Sequence, residues 1–176
     1  FWLIDPLDGT KEFLNRNGDF TINIALIENG SPVLGVVCAP AKEELFKGIS
    51  GVGAYKKKNG NQSQIKTRGL NLDLITVTVS RSHQTERDHQ FLKRVSKNFK
   101  EMELIEAGSS LKLCRVAEGK ADIYCRMGPT SQWDIAAGQA VLEAAGGSLR
   151  GLKGNDFQYV FDSEKKNPEF YCVGDS

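Results

Sequence analysis

The sequence has no long hydrophobic run and no excess of charge of one sign. Its longest apolar stretches, residues 21–27 and 32–39, fall well short of the roughly 20 residues that a membrane-spanning helix needs. Lysine and arginine number 23 against 22 aspartate and glutamate residues, which leaves a net charge of +1. The sequence therefore predicts no integral membrane segment and no nucleic-acid polymer as a partner, and it leaves the oligomeric state open.

The cysteines lack the spacing of a metal site or a redox pair. There are four of them, Cys38, Cys114, Cys125 and Cys172, and they form no C-x-x-C pair and have no histidine at zinc-ligand spacing. Free thiols, buried as small hydrophobic residues, are the simplest interpretation. They indicate a reducing cytoplasm as the location.

The chain opens inside an apolar run. Phe1-Trp2-Leu3-Ile4 is typical of a buried strand, and domains seldom start in one. With 176 residues, of which 40% are hydrophobic and 26% charged, the composition is that of one soluble globular domain. We therefore interpret residues 1–176 as a single domain and expect the chain to be the later part of a longer protein.

Approximately the first 70 residues have the pattern of an antiparallel meander. After the opening strand, Asp8-Gly9 indicates a turn into a short helix. Asn29-Gly30 is a strong hairpin signal, Asn59-Gly60 marks a second turn, and Lys56-Lys57-Lys58 predicts a solvated basic edge. The other strand signals cover residues 21–27, 33–37, 44–49 and 52–56.

Residues 71–176 have the pattern of alternating strands and helices. Strands are predicted at 75–79, 103–106, 121–125 and 170–173. Helices are predicted at 87–99, 109–118 and 133–145. Sheets layered between helices explain this order better than a helical bundle or a β-sandwich, so the predicted fold class is α/β, layered in the α+β sense.

Two carboxylates three residues apart stand where the opening strand ends. Asp5 and Asp8 belong to the segment Trp2-Leu3-Ile4-Asp5-Pro6-Leu7-Asp8-Gly9-Thr10. Asp-Pro and Asp-Gly are also ordinary turn dipeptides, so a purely structural role stays open. Chemically, Mg²⁺ prefers hard oxygen ligands and a pair of ions needs a bridging carboxylate, so Asp5 could bridge while the Leu7 carbonyl and Asp8 bind one ion each. The amides of Gly9 and Thr10 would favour a phosphate, and the Thr10 hydroxyl could orient a water.

A third carboxylate stands at the start of the last predicted helix. Asp134 belongs to Trp133-Asp134-Ile135-Ala136-Ala137-Gly138 and follows Asp8 by 126 positions. An aspartate in this place commonly stabilises the helix N-terminus. The small residues after it would let the helix pack closely on its neighbours. Both a metal ligand and a helix cap are compatible with this pattern.

Together, the two aspartate segments resemble the paired motifs of the inositol monophosphatase superfamily of Mg²⁺-dependent, lithium-sensitive phosphomonoesterases. The resemblance runs from residue 1 to residue 176 and implies an αβαβα sandwich, here lacking its N-terminal helices. The surrounding segments are similar to those of the bacterial 3'(2'),5'-bisphosphate nucleotidases of the CysQ type: Lys11-Glu12-Phe13, Ser80-Arg81-Ser82-His83, Gly108-Ser109-Ser110-Leu111-Lys112, Val116-Ala117-Glu118-Gly119 and Arg126-x-Gly128-Pro129-Thr130.

The resemblance also implies roles for particular residues. Two or three Mg²⁺ ions would be bound by Asp5, Leu7 through its carbonyl, Asp8 and Asp134. Gly9 and Thr10 would contact the scissile phosphate, and Thr10 would help to activate the attacking water. The residues that face the nucleotide and its second phosphate would be His83, Ser109, Ser110, Lys112 and Arg126, with Asp134 also touching substrate. Without the resemblance, the serines would be interpreted as helix caps and the three basic residues as solvated surface groups.

The implied activity is hydrolysis of the 3'-phosphate of adenosine 3',5'-bisphosphate to AMP and phosphate, in sulfur assimilation or nucleotide recycling. Its 2',5' isomer and 3'-phosphoadenosine 5'-phosphosulfate are further expected substrates.

An inositol or other sugar monophosphatase is the alternative within the superfamily. The superfamily also uses one or two glutamates upstream of Asp5, which the sequence starts too late to include, so a noncatalytic fragment is the alternative of another class. The expected location is cytoplasmic, with loose attachment to the inner face of the cell membrane left open.

Overall fold

The computed structural model describes residues 1–81 and 84–174, which form two main β-sheets, a short two-stranded ribbon and four α-helices. The α-helices are α1 (Thr10–Leu14), α2 (Glu86–Ser96), α3 (Leu111–Ala117) and α4 (Gln132–Ala144). The strands are β1 (Trp2–Asp8), β2 (Thr21–Glu28), β3 (Ser31–Ala39), β4 (Glu44–Ile49), β5 (Gly53–Lys58), β6 (Asn61–Ile65), β7 (Leu74–Ser80), β8 (Glu101–Ala107), β9 (Ile123–Arg126), β10 (Thr130–Ser131), β11 (Ser148–Gly151), β12 (Lys166–Asn167) and β13 (Phe170–Val173). A 3-10 helix, Pro40–Lys42, joins β3 to β4.

The first sheet is an antiparallel meander in which β1 to β6 follow one another in chain order. Asn29 and Gly30 turn β2 into β3 with left-handed φ angles of 50° and 79°, which asparagine and glycine adopt more readily than other residues. The predicted hairpin and the two strands after it are confirmed. The second Asn-Gly turn also reverses the chain, so that β6 pairs with β5 as a strand that the sequence pattern did not reveal.

The second sheet has the strand order β11-β13-β9-β7-β8. β7 pairs in parallel with β8 and β9, and α2 provides the crossover that a parallel β7–β8 pair requires. The predicted alternation of strands and helices is confirmed here. Sequence reasoning missed β10, β11 and β12, which are only two to four residues long and carry polar residues.

α3 and α4 lie between the two sheets. α4 contacts β1 to β5 of the first sheet, and α3 contacts β7, β8, β9 and β13 of the second. On the far side of the second sheet, Leu92 of α2 packs with Ile75 and Val77 of β7. The layer order is therefore sheet, helices, sheet, helix, which is the predicted sandwich without its first helical layer.

α4 approaches the first sheet closely because small residues face each other. A Cβ atom added to Gly35 of β3 would lie 2.3 Å from the carbonyl oxygen of Ala137, and one added to Gly48 of β4 would lie 2.5 Å from that of Ala140. On its other side, Gly138 of α4 contacts the Leu113 side chain of α3 with similar closeness. The predicted close packing of this helix is confirmed.

Within residues 1–81 and 84–174, the opening strand is buried on one face and exposed on the other. β1 is the edge strand of the first sheet and pairs only with β2 among the described strands. Successive side chains of a strand point to opposite faces, so Leu3 packs against the core while Trp2 and Ile4 are 54% and 57% exposed. The exposed face is the side of the first sheet opposite α4, where the described part of this chain has no helical layer.

Lys56 is not the solvated group that its lysine-rich segment predicts. Its ammonium lies 2.9 Å from Glu44 and 2.7 Å from Glu118. Arg115 of α3 pairs with the same two carboxylates. These four residues form a buried ionic cluster that joins β4 and β5 to α3, whereas Lys57 is exposed as predicted.

The helices of the described part of the chain are short. The longest, α4, has 13 residues, and none is both long and apolar enough to cross a membrane. All four cysteines are free thiols, as predicted, and Cys114 and Cys172 are buried.

Candidate active site

Three carboxylates converge where β1 ends and α4 begins. Asp5 and Asp8 lie on β1, and Asp134 lies in the first turn of α4. One oxygen atom from each carboxylate lies within 4.8 Å of the other two. This carboxylate cluster provides hard oxygen donors at a spacing suited to divalent cations. The packing of α4 on the first sheet therefore brings together residues that stand 126 positions apart in the sequence.

An irregularity in β1 aims Asp5 and Asp8 at the same place. The register with β2 pairs Asp5 with Asn23 and Asp8 with Thr21, so that β1 contains one residue more than β2 over this stretch. Residues three apart in a regular strand point to opposite faces. The extra residue in β1 turns the side chains of Asp5 and Asp8 to the same face. The backbone amide of Leu7 donates to Oδ1 of Asp5 at 3.0 Å and fixes the bend.

Asp134 is held by the start of its own helix. Ser131 is the N-cap of α4, and its amide donates to Oδ2 of Asp134 at 2.8 Å as part of a capping box. The ammonium of Lys166 donates to the Ser131 hydroxyl at 2.8 Å. The helix-stabilising role that the sequence left open is therefore present, and it coexists with the place of Asp134 in the carboxylate cluster.

Burial and mutual repulsion oppose ionisation of the carboxylate cluster. Burial is the main cause that raises the pKa of Asp5 and of Asp134, and the charge of Asp134 adds to the effect at Asp5. Burial raises the pKa of Asp8 to about 6, with the other two carboxylates adding to it and the Lys112 ammonium opposing it. The metal-free cluster therefore retains protons at a pH where exposed carboxylates have lost them. A divalent cation would relieve the same repulsion.

A cavity of about 320 Å³ opens beside the carboxylate cluster. Asp5 belongs to the cluster itself, and Leu7 lies on β1 between Asp5 and Asp8. His83 lies outside the described residues. The other predicted site residues line the cavity together: Asp8, Gly9, Thr10, Ser109, Ser110, Lys112, Arg126 and Asp134. Their individual roles remain predictions, but their proximity follows from the fold.

The two serines before α3 hold Asp8 in place. The Ser109 hydroxyl donates to the Asp8 carbonyl oxygen at 3.0 Å, and the Ser110 amide donates to Oδ2 of Asp8 at 2.9 Å. The Ser110 hydroxyl is buried, donates to Asn23 at 2.7 Å and, having a single hydrogen, accepts from Thr21 at 2.9 Å. It makes no helix-capping hydrogen bond. These contacts make both serines positioning residues for a carboxylate of the cluster.

Lys112 and Arg126 bring two cations to the cavity. Lys112 is 7% exposed, donates to the Ser109 carbonyl oxygen at 2.7 Å and lies over the Tyr124 ring. Burial lowers its pKa to about 8, although the charge of Asp8 opposes this shift. Nε of Arg126 is buried and has no hydrogen-bond partner within the described part of the chain. The interpretation of Lys112 as a solvated charge is therefore wrong, and Arg126 keeps an unused donor.

Sequence reasoning missed Thr21 and Asn23, which support Asp8 through Ser110. A signal for them exists, because they share the inward face of β2 with the buried apolar Ala25 and Ile27. A polar residue in that series indicates a buried hydrogen-bond network. Glu12 and Tyr124 also line the cavity, and their surroundings in the sequence give no comparable signal.

Comparison with known families matches nearly the whole chain. The model of the inositol monophosphatase family covers residues 1–170. The chain belongs to the inositol monophosphatase family. The family resemblance that the two aspartate segments predicted is confirmed, together with the layered fold.

Within this family, bacterial nucleotidases are similar over almost the entire chain. The 3'(2'),5'-bisphosphate nucleotidase CysQ of Salmonella typhimurium is 45% identical over 170 residues, which cover 97% of this chain and 66% of that protein. The protein of the same name from Escherichia coli K12 is 44% identical with the same coverage. The chain thus spans slightly less than two thirds of the length of both relatives.

Solved structures of the inositol monophosphatase family show the same arrangement. The crystal structure of CysQ from Bacteroides thetaiotaomicron superposes with a TM-score of 0.91 and 39% identity, over 99% of this chain and 69% of that one. An inositol monophosphatase from Anabaena superposes with a TM-score of 0.78 and 27% identity, over 98% and 68%. Of these two structures, the chain resembles CysQ more closely in both sequence and backbone.

Proposed function

We propose that the full-length protein is a Mg²⁺-dependent phosphomonoesterase that removes the 3'-phosphate of adenosine 3',5'-bisphosphate and releases AMP and phosphate. The observation that carries this proposal is the carboxylate cluster beside a cavity that also holds two cationic side chains. The substrate class is taken from similar proteins that bear the name 3'(2'),5'-bisphosphate nucleotidase. The free cysteines support a reducing cytoplasm as the location.

The donor set fits magnesium. The carboxylate cluster contains oxygen donors only, without sulfur or imidazole, which favours a hard cation. The Leu7 carbonyl is a further proposed ligand, because Leu7 falls in the bulge where the β1–β2 register shifts. When bound, Mg²⁺ would neutralise phosphate oxygens and lower the pKa of a water molecule. The crowded, partly protonated carboxylates would gain the counter-charge that they lack.

The residues of the chain would orient the reactants for direct in-line attack by water, without a covalent phosphoenzyme. The Thr10 hydroxyl would orient the water, and the amides of Gly9 and Thr10 would hold the scissile phosphate. Gly9 has a left-handed φ of 87°, and a Cβ atom there would lie 2.1 Å from Oγ of Ser109. Only glycine fits this position without strain.

Lys112 and Arg126 would bind the second phosphate of the substrate. A buried ammonium and a buried unpaired Nε both cost free energy in an empty cavity. A phosphate would offset this cost by accepting charge-assisted hydrogen bonds. A substrate with a single phosphate would leave these cations without an anion, which disfavours an inositol or sugar monophosphate. His83, Ser109 and Ser110 complete the nucleotide-facing set that the resemblance implies, although the hydroxyl hydrogens of the two serines are already bonded to Asp8 and Asn23.

Phosphate release by the full-length protein tests the proposed function. With Mg²⁺ present, we expect adenosine 3',5'-bisphosphate to be hydrolysed with a higher kcat/KM than inositol 1-phosphate. Removal of the metal with a chelator is expected to abolish the activity, and added Mg²⁺ to restore it. A kcat/KM for inositol 1-phosphate that equals or exceeds that for the nucleotide would overturn the substrate assignment and leave the metal chemistry standing.

Replacing Lys112 with methionine, which keeps the length of the side chain but removes its charge, tests the second-phosphate site. We expect kcat/KM for adenosine 3',5'-bisphosphate to fall by about 30- to 100-fold, since a charge-assisted hydrogen bond is lost. For adenosine 3'-monophosphate the loss should stay below about threefold. Lys57→Met, at an exposed position of β5, is the matched control. Equal losses for the two nucleotides would favour the monophosphatase alternative.

A further inference from the structure

Glu12 is a buried acid in a cavity proposed to bind an anionic substrate. It belongs to α1, is 4% exposed and lines the cavity. Its Cγ packs beside Gly108, where an added Cβ atom would lie 2.7 Å away. Its Oε2 lies 3.3 Å from the Cβ position of Gly9. The carboxylate is therefore held between two glycines, next to the proposed site of the scissile phosphate.

No described side chain satisfies this carboxylate. Across residues 1–81 and 84–174, the Glu12 side chain forms neither a hydrogen bond nor an ion pair. It interacts electrostatically with Lys112, whose ammonium donates a hydrogen bond to the Ser109 carbonyl oxygen and none to Glu12. Glu12 is also not a member of the carboxylate cluster. The carboxylate therefore faces the cavity without a donor from the described residues, and a ligand in the cavity could donate a hydrogen bond to it.

Building on the proposed function, we propose that Glu12 recognises the substrate hydroxyl on the carbon next to the phosphate ester that is cleaved. In a nucleoside 3',5'-bisphosphate this group is the ribose 2'-hydroxyl. Glu12 accepts its hydrogen bond while the neighbouring Gly9 and Thr10 hold the phosphate. Glu12 is then a specificity-determining residue, separate from the metal ligands and from the cations that bind the second phosphate.

The hydroxyl is the donor that this position can reach. At neutral pH the phosphates of such a substrate act mainly as acceptors, which leaves the 2'-hydroxyl and the amino group of the base as donors. Glu12 follows Thr10 by two residues and its Oε2 approaches Gly9, so it lies close to the ester, whereas the base is several bonds away. Carboxylates recognise ribose hydroxyls in this way in dinucleotide-binding folds.

The test compares adenosine 3',5'-bisphosphate with its 2'-deoxy analogue, using the full-length protein with Mg²⁺. We expect the wild-type protein to prefer the ribonucleotide by about 10-fold or more in kcat/KM, the effect of one hydrogen bond to a charged group. Glu12→Ala should lose this preference by slowing only the ribonucleotide. Glu12→Gln keeps an acceptor oxygen and should retain part of it. Glu28→Ala, at an exposed end of β2, is the control, and thermal unfolding verifies that each variant is folded.

The outcomes separate this inference from the proposed function. If Glu12→Ala slows both nucleotides equally, or if the wild-type protein shows no preference between them, Glu12 does not recognise the hydroxyl, while the nucleotidase activity stands. If the wild-type protein hydrolyses neither nucleotide, the proposed function fails and the role of Glu12 fails with it.

Discussion

Replacing Asp8 with asparagine is expected to lower kcat of the full-length protein by on the order of 1,000-fold. The reason is that Asp8 belongs to the carboxylate cluster, with one oxygen within 4.8 Å of both other carboxylates, and is held there by the Ser110 amide. Asparagine keeps the shape of the side chain but removes one of the negative charges that would bind Mg²⁺. The measurement is steady-state phosphate release at saturating Mg²⁺, and near-normal turnover would rule out the ligand role.

The same substitution should stabilise the metal-free protein. Burial raises the pKa of Asp8 to about 6, so ionised Asp8 destabilises the fold. Because the folded pKa lies above the unfolded value, this loss of stability is absent below about pH 4 and complete above about pH 6. Asp8→Asn should therefore raise the free energy of unfolding by about 1–2 kcal/mol at pH 7.5 and leave it unchanged at pH 3.5.

Asp73→Asn is the matched control for this pair of measurements. Asp73 is exposed and pairs with Lys100, which is exposed as well. We expect no change in turnover and a change in stability below about 1 kcal/mol, since exposed ion pairs contribute little. A stability gain of the same size in both variants would show that the effect has no connection with the carboxylate cluster.

Replacing Glu44 with glutamine is expected to lower the free energy of unfolding by about 3 kcal/mol. Glu44 is 3% exposed and accepts hydrogen bonds from Lys56 and Arg115 within the buried ionic cluster. Without its charge, two buried cations would share Glu118 alone. Urea unfolding of the full-length protein measures the loss, and a loss no larger than that of Asp73→Asn would contradict the assigned role.

Lowering the pH should also remove the stability that Glu44 contributes to the buried ionic cluster. Burial alone would raise the pKa of Glu44, but hydrogen bonds from Lys56 and Arg115 outweigh it and lower the pKa to about 2. A depressed folded pKa gives stability that is fully present above about pH 4.5 and is lost as the pH falls towards 2. Unfolding measured over this window should show a smaller pH dependence for Glu44→Gln than for the wild-type protein.

Most of the fold could be predicted because the sequence contains strong local signals. The Asn29-Gly30 turn fixed the first hairpin, and the alternation after residue 71 indicated the second layer. The resemblance of the two aspartate segments to the paired motifs of the inositol monophosphatase superfamily predicted the carboxylate cluster, whereas the residue pattern alone left Asp134 open between a metal ligand and a helix cap. Local patterns do not give the distance between the two aspartate segments in the folded protein, because tertiary packing sets that distance.

The misjudged residues share one physical cause. Lys56 and Lys112 are buried although lysine is mostly exposed. Their partners are far away in the sequence: Glu44 pairs with Lys56, and the charge of Asp8 offsets part of the cost of burying Lys112. Trp2 is exposed on the face of the first sheet that has no helical layer in the described part of this chain. In each case the environment is provided by residues that a local window of sequence does not include.

Gly35 and Gly48 set the distance between α4 and the first sheet, and with it the spacing of the carboxylate cluster, although neither glycine belongs to that cluster. Asp134 stands one helical turn before Ala137, whose carbonyl oxygen comes within 2.3 Å of the place that a side chain on Gly35 would occupy. The distance between α4 and the first sheet therefore also fixes the distance from Asp134 on α4 to Asp5 and Asp8 on β1. A single methyl group at either glycine would wedge the layers apart by on the order of 1 Å, a displacement large enough to disable an active site. The absence of a side chain at Gly35 and at Gly48 therefore sets the width of the carboxylate cluster.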